Sequence, residues 1–434
     1  MVTYNFHNYY TDRADGLISK LTLTDERTQM LKELRSRVRT RTKEVFEEAK
    51  KLAKNKTLVA LSMESFKVEL ATTRLRHLSP MAQEEIALLI KNMDEQTRTA
   101  FLELTPRFWT QGSFQYNTLN NPYNTPPQEM DIDDGAYLPM AIFEDKPVIG
   151  HRLLLLLVDS SLQSLVAENK GWEFEAKRTC ARIRIPAKNT HIDVPMYAIP
   201  EDQFLQKQVA LASFHETAFD SVDARADAWM SNRAAYELDS NSVNLALRDG
   251  EQKWCKSDPK IVEDWFNESC GRIGRHLRKT CRFMKSWRDA QWDSGGPSSI
   301  SLMAATVNIL DRLPHDSGDF GATMLLIATH LPSEFSNGIE SPDHTDEKLL
   351  FPHFSEHGER EQQIMGKLHE LKEILVEAER SATKELALKV INRAFGQRVT
   401  KSDLIVNKQS APAFKNDPSV GDQSKRISAT MSSG

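Results

Sequence analysis

The stretch QEMDIDDG, residues 128–135, decides the fold of this 434-residue chain. In an extended strand successive side chains point to opposite faces, so Asp131 and Asp133 share one face while Ile132 turns into a core. Two carboxylates held this close repel each other, and a bound cation removes the repulsion. Magnesium suits such a pair, because it takes oxygen ligands and needs only one or two carboxylates besides water and substrate phosphates. The stretch therefore predicts a metal-binding strand.

Two neighbouring stretches extend this interpretation. TQGSFQYNT at 110–118 contains Gly112 and Ser113, and THIDVPMY at 190–197 places Asp193 between two apolar residues. A third acid on a neighbouring strand permits a two-metal site, in which one ion activates the attacking oxygen and the other supports the leaving group. An isolated Asp-x-Asp pair is more often a surface or turn feature, so the combination carries the hypothesis. It favours metal-dependent nucleotidyl transfer.

Composition limits the remaining classes. The net charge of −5 gives no overall attraction to nucleic acid or membrane, so a nucleotide site must be locally basic. The four cysteines have no metal-ligand spacing, and P-loop, dinucleotide-binding and zinc-protease motifs are absent. The start MVTYNFHNYYTDR lacks the apolar core of a signal peptide, and the longest apolar run, 153–158, is too short to span a bilayer. We expect a cytoplasmic protein with no membrane partner.

Periodicity predicts both helices and strands in the first half of the chain, and mostly helices from about residue 200. A helix is expected from Thr24, which can cap it, to residue 54, with the basic residues Arg35 and Arg39 on its outer face. The other predicted helices are 83–103, 152–167, 202–213, 216–237, 259–289, 298–312, 319–330 and 360–393. The predicted strands are 129–134, 137–143, 180–185 and 191–198. Residues 120–128 read as a loop, and 408–434 are expected to be disordered.

The order of these motifs resembles a known family. A Gly-Ser turn, an Asp-x-Asp strand and a later lone Asp are typical of the DNA polymerase β-like nucleotidyltransferases. Long stretches are similar to the bacterial cGAS/DncV-like enzymes (CD-NTases), namely 5–17, 104–116, 128–135, 189–200, 257–267 and 283–311. The resemblance covers nearly the whole chain and weakens at 211–236 and after about residue 407. It implies an α+β fold, a polymerase β-like palm with a mixed sheet packed against a C-terminal helical domain, with a cleft between them.

The expected domain boundaries follow from the resemblance and the element pattern. Residues 1–215 are assigned to the nucleotidyltransferase core, 216–407 to the helical domain and 408–434 to the tail. In the core, Asp131, Asp133 and Asp193 are the expected catalytic and metal-binding residues.

Candidate nucleotide-binding residues come from both halves. Gly112 allows close approach of a phosphate, and the Ser113 hydroxyl and amide can donate to it. Ser298 or Ser299 opens a helix whose N-terminus suits an anion. The resemblance implies that Lys285 and Ser299 hold the triphosphate, that Arg182 lies near the acceptor nucleotide, and that Tyr116, Ser257, Asp258 and Asp346 line the base pockets. Gln111 begins the turn at the site. Tyr116 could equally be a core tyrosine, and each Asp could be a helix cap.

The expected function is synthesis of 3′,3′-cyclic GMP-AMP from ATP and GTP, with Mg²⁺ as cofactor and Mn²⁺ as an alternative. Three other functions stay open: a nucleotidyltransferase with a different cyclic or linear product, one that tails RNA or modifies a protein, and an inactive nucleotide-binding sensor. The intact acids argue against the sensor, and no basic stripe with interleaved aromatic residues supports a polymer groove.

Partners are implied by the resemblance alone. Family members act in anti-phage signalling (CBASS), where the product activates an effector such as a phospholipase. A terminal glycine, here Gly434, can be conjugated by a ubiquitin-transfer-like enzyme. A folate-like inhibitor could bind Arg35, Arg39, Arg107 and Trp109, although a solvated helix face explains the arginines equally well. No nucleic-acid partner is expected.

Overall fold

The computed structural model describes residues 3–139, 147–200, 243–249, 253–344 and 348–408. Its strands are β1 Tyr4–Asn5, β2 Arg107–Gln111, β3 Met130–Pro139, β4 Glu173–Ala176, β5 Cys180–Ile185, β6 Thr190–Ile199, β7 Asn244–Ala246, β8 Trp254–Lys256 and β9 Val406–Asn407. Its α-helices are His7–Thr11, Leu17–Leu21, Asp25–Lys54, Lys56–Ala60, Met63–Leu70, Pro80–Lys91, Glu95–Glu103, Gly112–Gln115, Pro147–Glu168, Pro259–Ile273, His276–Gln291, Ser299–Arg312, Phe320–Ser336, Glu359–Glu379 and Lys384–Phe395. Short 3-10 helices occupy Arg74–His77, Pro186–Lys188, Phe354–Glu356 and Ser402–Leu404.

A mixed sheet forms the centre of the first half. Its order is β2-β3-β6-β5-β4, with β7 paired to β6 and to β8. Among the strands in the described ranges only β3 and β6 pair in parallel, and their register sets Asp131 opposite His191 and Asp133 opposite Asp193. Side chains two apart on a strand share a face. The sheet therefore collects the three predicted acids on one face.

Helices cover the other face of this sheet. The helix Asp25–Lys54 begins where predicted, with the Thr24 hydroxyl accepting from the Arg27 amide. Its buried stripe, from Leu31 to Ala53, packs with the apolar helix Pro147–Glu168 and with inward residues of the sheet such as Ile132 and Ile192. The apolar spacing of the sequence correctly predicted this layer, because burial of a helical stripe follows from its period.

Three predicted long helices are wrong, because each is two helices. The prediction 259–289 breaks at Gly274, whose φ of +121° is incompatible with an α-helix. The prediction 83–103 is interrupted before Asp94, whose side chain caps a new helix by accepting from the Thr97 amide. The prediction 360–393 is interrupted before Thr383, which caps in the same way. A capping side chain satisfies the first amides of a new helix, so the apolar period can continue across a break.

The strand predictions also need one correction. Residues 129–134 and 137–143 are not two strands, since β3 continues without interruption from Met130 to Pro139. The predicted residues 140–143 lie outside the described part of the chain, as do the predicted helices 202–213 and 216–237 and the tail from residue 409.

The helical half has its own core, which includes the start of the chain. Tyr9 and Tyr10 are buried against Phe395, and β1 pairs with β9. The expected fold class, a mixed-sheet palm packed against a helical C-terminal region, is confirmed. The boundaries 1–215, 216–407 and 408–434 stay a prediction.

Candidate active site

A cavity of about 670 Å³ lies between the sheet and the helical half. Nine of the sequence-predicted residues line it: Gln111, Gly112, Ser113, Tyr116, Asp131, Asp133, Ser257, Lys285 and Ser299. Asp193, Arg182 and Asp258 are described but do not line it. Asp346 and Gly434 lie outside the described residues. The fold therefore brings residues from positions 111 to 299 to one cavity.

The acidic end of the cavity is formed by β3 and β6. One ligand atom each of Asp131, His191 and Asp193 lies within 4.8 Å of the other two. Asp133 is next to them on the same face, and its pKa is raised well above the usual value, first by burial and then by the carboxylates of Asp131 and Asp193. A carboxyl with a raised pKa is costly to ionise without a positive neighbour. This end of the cavity therefore favours a cation.

Gly112 is required beside these acids. Its φ is +64°, and a Cβ added there would lie 2.2 Å from Asp133 Oδ2. The positive φ disfavours a side chain here, and an added Cβ would require Asp133 to shift. The short helix Gly112–Gln115 thus starts in contact with the acidic end, which explains why a Gly-Ser turn accompanies the Asp-x-Asp pair.

Asp193 is bound by a neighbour on β5. Arg182 donates Nε to Asp193 Oδ1 at 2.6 Å and Nη2 to Oδ2 at 2.7 Å. Such bidentate pairs are strong and directional. The thiol of Cys180 also contacts Asp193, and burial followed by this carboxylate raises the pKa of Cys180 to about 12. Arg182 therefore contacts an acid of the acidic end directly, and its role near an acceptor nucleotide stays a prediction.

His191 is a residue of this site that the sequence reasoning missed. Its Nδ1 lies 2.9 Å from Glu129 Oε2, and its Nε2 lies 3.0 Å from Asp131 Oδ1. Burial lowers the pKa of His191, but the Asp131 carboxylate more than offsets this, so the pKa is raised. The signal was available: His191 and Asp193 are two residues apart on a strand, so they share a face.

The opposite end of the cavity is basic. Lys285 is buried on the helix His276–Gln291 and donates to the Thr118 carbonyl at 2.9 Å. Burial, followed by the charge of Arg288, lowers the pKa of Lys285 to about 8. Arg288 donates to the Ser299 hydroxyl at 2.7 Å, and Ser298 caps the helix that begins at Ser299. Two cations and a helix N-terminus therefore meet here, an arrangement that binds phosphates.

The residues that are expected to line the pockets for the nucleotide bases differ in their solvent exposure. Tyr116 is 8% exposed, packs against Phe266 and still lines the cavity, so it is both a core residue and a wall residue. Ser257 lines the cavity. Asp258 is 1% exposed and accepts from the Lys260 amide at 3.0 Å, so it is the N-cap of the helix that follows.

Other predicted polar residues have structural partners. The Gln111 side chain donates to Tyr137 Oη at 2.7 Å and accepts from Tyr197 Oη at 3.3 Å. On the helix Asp25–Lys54, Arg39 forms a bidentate ion pair with Asp134, which is completely buried.

Two of the four expected inhibitor residues share one partner. Arg35 and Arg39 both donate to the Thr110 hydroxyl. On β2, Trp109 Nε1 donates to Glu263 at 3.1 Å, and Arg107 Nε is buried without a hydrogen-bond partner in the described part of the chain. Arg107 Nε is therefore a buried donor that a ligand could satisfy.

The donors at the acidic end fit a divalent cation. Asp131 Oδ1 and His191 Nε2 are both buried and lack a hydrogen-bond partner among the described residues. Carboxylate oxygens are the ligands that Mg²⁺ and Mn²⁺ prefer. A cation bound there would also offset the repulsion that raises the pKa of Asp133. Carboxylates on adjacent strands, opposite a basic phosphate-binding end, define a nucleotidyltransferase.

Family comparisons identify the kind of nucleotidyltransferase. The model "Cyclic GMP-AMP synthase DncV-like, nucleotidyltransferase domain" matches residues 106–197, and "Cyclic GMP-AMP synthase, C-terminal domain" matches 274–408. A cyclic GMP-AMP synthase from Vibrio cholerae serotype O1 is 61% identical over 437 residues, which cover 100% of both chains. The chain belongs to the DncV-like cyclic GMP-AMP synthase family, and it is an enzyme.

Solved structures agree with this assignment. Vibrio cholerae DncV in complex with the linear intermediate 5′ pppA(3′,5′)pG has a TM-score of 0.85 at 60% identity, covering 94% of this chain and 100% of that one. A mutant of the Vibrio cholerae enzyme in complex with ATP, GTP and 5MTHFGLU2 has a TM-score of 0.85 at 62% identity, covering 93% and 99%. Within the described residues, no helix combines the length and apolar character needed to cross a bilayer.

Proposed function

We propose that this enzyme joins ATP and GTP into 3′,3′-cyclic GMP-AMP at the cavity described above. The observation that carries the proposal is the pairing of two ends in one cavity. Asp131 and Asp133 line one end, and Lys285 and Ser299 line the other. The complex of the Vibrio cholerae relative with ATP and GTP supports both substrates.

The basic end would hold the triphosphate. Lys285 and Arg288 neutralise its charge, and the amides at the start of the helix Ser299–Arg312 donate to its terminal oxygens. Ser113, at the Gly-Ser turn, donates to the phosphates nearer the acids. The triphosphate is thereby fixed with its α-phosphorus near the acidic end.

The acidic end would orient the acceptor. Asp131 and Asp133 would hold a divalent cation, with Mg²⁺ as the expected ion and Mn²⁺ as the alternative. When bound, this cation neutralises the charge that develops on the phosphates during transfer. Asp193 helps to remove the proton of the acceptor 3′-hydroxyl, and Arg182 fixes the orientation of Asp193.

The chemistry consists of two successive transfers. In the first, the 3′-hydroxyl oxygen of one nucleotide attacks the α-phosphorus of the other. A phosphodiester bond forms and pyrophosphate leaves. In the second, the free 3′-hydroxyl of the linear product attacks its remaining α-phosphorus, and a second pyrophosphate leaves. Positioning and charge neutralisation supply most of the rate in such reactions.

The bases would contact residues around the cavity rim. Tyr116 presents a ring edge or face to one base, and Ser257 contacts the other. Asp258 is proposed to support Ser257 as the cap of the next helix. Asp346 stays a candidate base contact on the resemblance alone.

The product assay tests this function directly. Purified protein is incubated with ATP, GTP, CTP and UTP plus Mg²⁺, and products are identified by mass spectrometry before and after nuclease P1 digestion. A cyclic GMP-AMP mass that nuclease P1 destroys is expected. A linear polymer would support the tailing alternative, and a different cyclic mass would overturn the base assignment.

The proposals for the biological setting rest on the family resemblance. We propose that the product activates a separate effector of the phospholipase type in anti-phage defence. A ubiquitin-transfer-like enzyme is the proposed partner of Gly434. A folate-like inhibitor is proposed for Arg35, Arg39, Arg107 and Trp109, supported by the 5MTHFGLU2 complex of the relative. The cytoplasm is the proposed compartment, since all four cysteines are unpaired.

A further inference from the structure

Glu263 is a buried carboxylate that joins the helical half to the Gly-Ser turn. It lies on the helix Pro259–Ile273 and is 5% exposed. Its Oε1 accepts from Gln115 Nε2 at 2.9 Å, and its Oε2 accepts from Trp109 Nε1 at 3.1 Å. Each carboxylate oxygen therefore binds a donor from a different element, the short helix Gly112–Gln115 and strand β2.

The two donors flank the Gly-Ser turn in the chain. Trp109 lies three residues before Gly112, and Gln115 lies three residues after it. One carboxylate thus holds the chain on both sides of the turn. Gly112 and Ser113 line the cavity, whereas Glu263 and Gln115, which are both described, do not. Glu263 therefore acts on the turn from outside the cavity and is not placed to contact a nucleotide.

The position of this turn is critical because the turn contacts the acidic end. A Cβ added at Gly112 would lie 2.2 Å from Asp133 Oδ2, so little space separates the backbone of the turn from the acid. Ser113, the next residue, is the one proposed above to donate to the phosphates near the acids. A misplacement of about 1 Å in an active site can cost about 10²-fold in rate.

Stability alone does not explain a carboxylate at this place. Burial raises the pKa of Glu263, and the hydrogen bond from Gln115 opposes this change. A charged side chain is costly to bury, and apolar side chains of similar volume in place of a buried charged network are often at least as stable. The carboxylate supplies two acceptor oxygens with fixed directions, which an apolar residue cannot do.

We propose that Glu263 is a positioning residue for nucleotidyl transfer, which fixes the Gly-Ser turn through Gln115 and Trp109. The proposal rests on the proposed function, because it concerns the phosphates that Ser113 is proposed to bind. The basic end holds most of the triphosphate, so a displaced turn should lower kcat and change the KM much less.

Steady-state kinetics of full-length variants test the proposal. Glu263→Met is similar in volume but removes both acceptors, so kcat should fall by about 10–10²-fold with little change in KM. Glu263→Gln should lose less than about fivefold, because neutral hydrogen bonds replace charged ones. Its amide oxygen can accept from Trp109, and its amide nitrogen can donate to Gln115 once that side-chain amide turns over. Unchanged kcat in Glu263→Met, or equal losses in the two variants, would overturn the proposal.

Glu334→Met is the matched control for loss of a buried carboxylate. Glu334 is 8% exposed, lies on the helix Phe320–Ser336, pairs with Arg312 and does not line the cavity. Its removal should leave kcat at the wild-type level. A loss of kcat in Glu334→Met as large as that in Glu263→Met would mean that general destabilisation, and not the position of the turn, explains both.

Gln115→Met tests the same contact from the other side. Gln115 is only partly buried, so this variant decides the question if Glu263→Met does not fold. Loss of one hydrogen bond to a carboxylate should lower kcat by roughly tenfold. The loss should not add to that of Glu263→Met, because both substitutions remove the same contact. Unchanged kcat in Gln115→Met would contradict the proposal.

Hydrogen exchange separates failure of this proposal from failure of the proposed function. The Tyr116 and Thr118 amides donate to the carbonyls of Gly112 and Ser113, so they report on the turn. They should exchange faster in Glu263→Met than in the wild type and in Glu334→Met. Faster exchange in an enzyme that makes no cyclic product would keep the role of Glu263 at the turn and remove the proposed function. Cyclic product from the wild type, with kcat and exchange unchanged in Glu263→Met, would do the reverse.

Discussion

The two ends of the cavity are built from different kinds of secondary structure. At the acidic end, Asp131, Asp133, His191 and Asp193 stand on two paired strands whose register places them on one face. At the basic end, Lys285 and Ser299 come from two helices, and Lys285 reaches back to the Thr118 carbonyl of the first half. The acidic end lies within one sheet, whereas the basic end lies within the helical half and contacts the first half through Lys285. We therefore expect substitutions at the acidic end to remove chemistry and those at the basic end to weaken binding.

The largest expected effect tests the acidic end. Asp131→Ala with Asp133→Ala should reduce synthesis by at least about 10³-fold, because the charge stabilisation of the transition state is lost. The melting temperature should not fall, since both carboxylates face the cavity and repel each other. Mass spectrometry of products and thermal melting measure the two quantities.

The matched control is Glu173→Ala, an exposed acid on β4 of the same sheet. Its activity should stay at the wild-type level. Normal turnover by the double mutant would refute the assignment of the acidic end.

A second substitution separates backbone strain from displacement of an acid. Gly112→Ala should lower the rate by roughly 10²-fold, because its Cβ would push Asp133 from its position by an ångström or more. Gly171→Ala is the control: its φ of +84° imposes the same kind of strain, but nothing lies within 4 Å of the added Cβ.

Both alanines should cost about 1–3 kcal/mol of unfolding free energy from the positive φ. Only Gly112→Ala should lose activity. Equal activity losses in the two variants would mean that strain alone, and not contact with Asp133, explains the effect.

The basic end predicts a pH dependence of binding. With a pKa of about 8, lowered by burial, Lys285 is charged below that pH and loses its charge above it. The triphosphate prefers the charged form, so the KM for nucleotide should rise above pH 8 while kcat changes less. Lys285→Arg should flatten this profile, because a guanidinium stays charged.

Removal of the side chain tests the same end at constant pH. Lys285→Met should raise the KM by about ten- to a hundredfold, corresponding to a charged hydrogen bond of roughly 1.5–3 kcal/mol. Lys279→Met, an exposed lysine on the same helix, should leave the KM unchanged. A Lys285 variant with lower kcat and unchanged KM would contradict the division between the two ends.

The smallest expected effect concerns Ser257 and Asp258 at the rim of the cavity. Asp258→Ala should cost about 1 kcal/mol of unfolding free energy through loss of a helix cap, and Asp258→Asn should restore it. Base preference should follow substitutions of Ser257 and be insensitive to Asp258→Asn. A switch in nucleotide preference with Asp258→Asn would make Asp258 a direct base contact.

Sequence patterns predicted the acids on the strands of the site. They missed the breaks in three of the predicted helices. Asp131, Asp133 and Asp193 followed from alternation along a strand, and His191 was available by the same rule. The breaks at Gly274, Asp94 and Thr383 were missed, because an apolar period continues across a capped interruption. Roles for Ser257, Asp258 and Arg182 came from family resemblance, since no local pattern distinguishes a cap or an exposed strand residue from a ligand contact.

By itself, the sequence determined the fold class, the family and the identity of the acids. These depend on patterns that can be read along the chain, namely strand alternation and motifs in a fixed order. Tertiary structure alone decided which partners those residues have. The register of β3 with β6 places His191 opposite Asp131. The pairing of β5 with β6 places Arg182 opposite Asp193. Packing of the helical half buried Lys285 and lowered its pKa. Contacts between residues far apart in the chain depend on strand register and packing. Neither can be predicted from a short segment of the sequence.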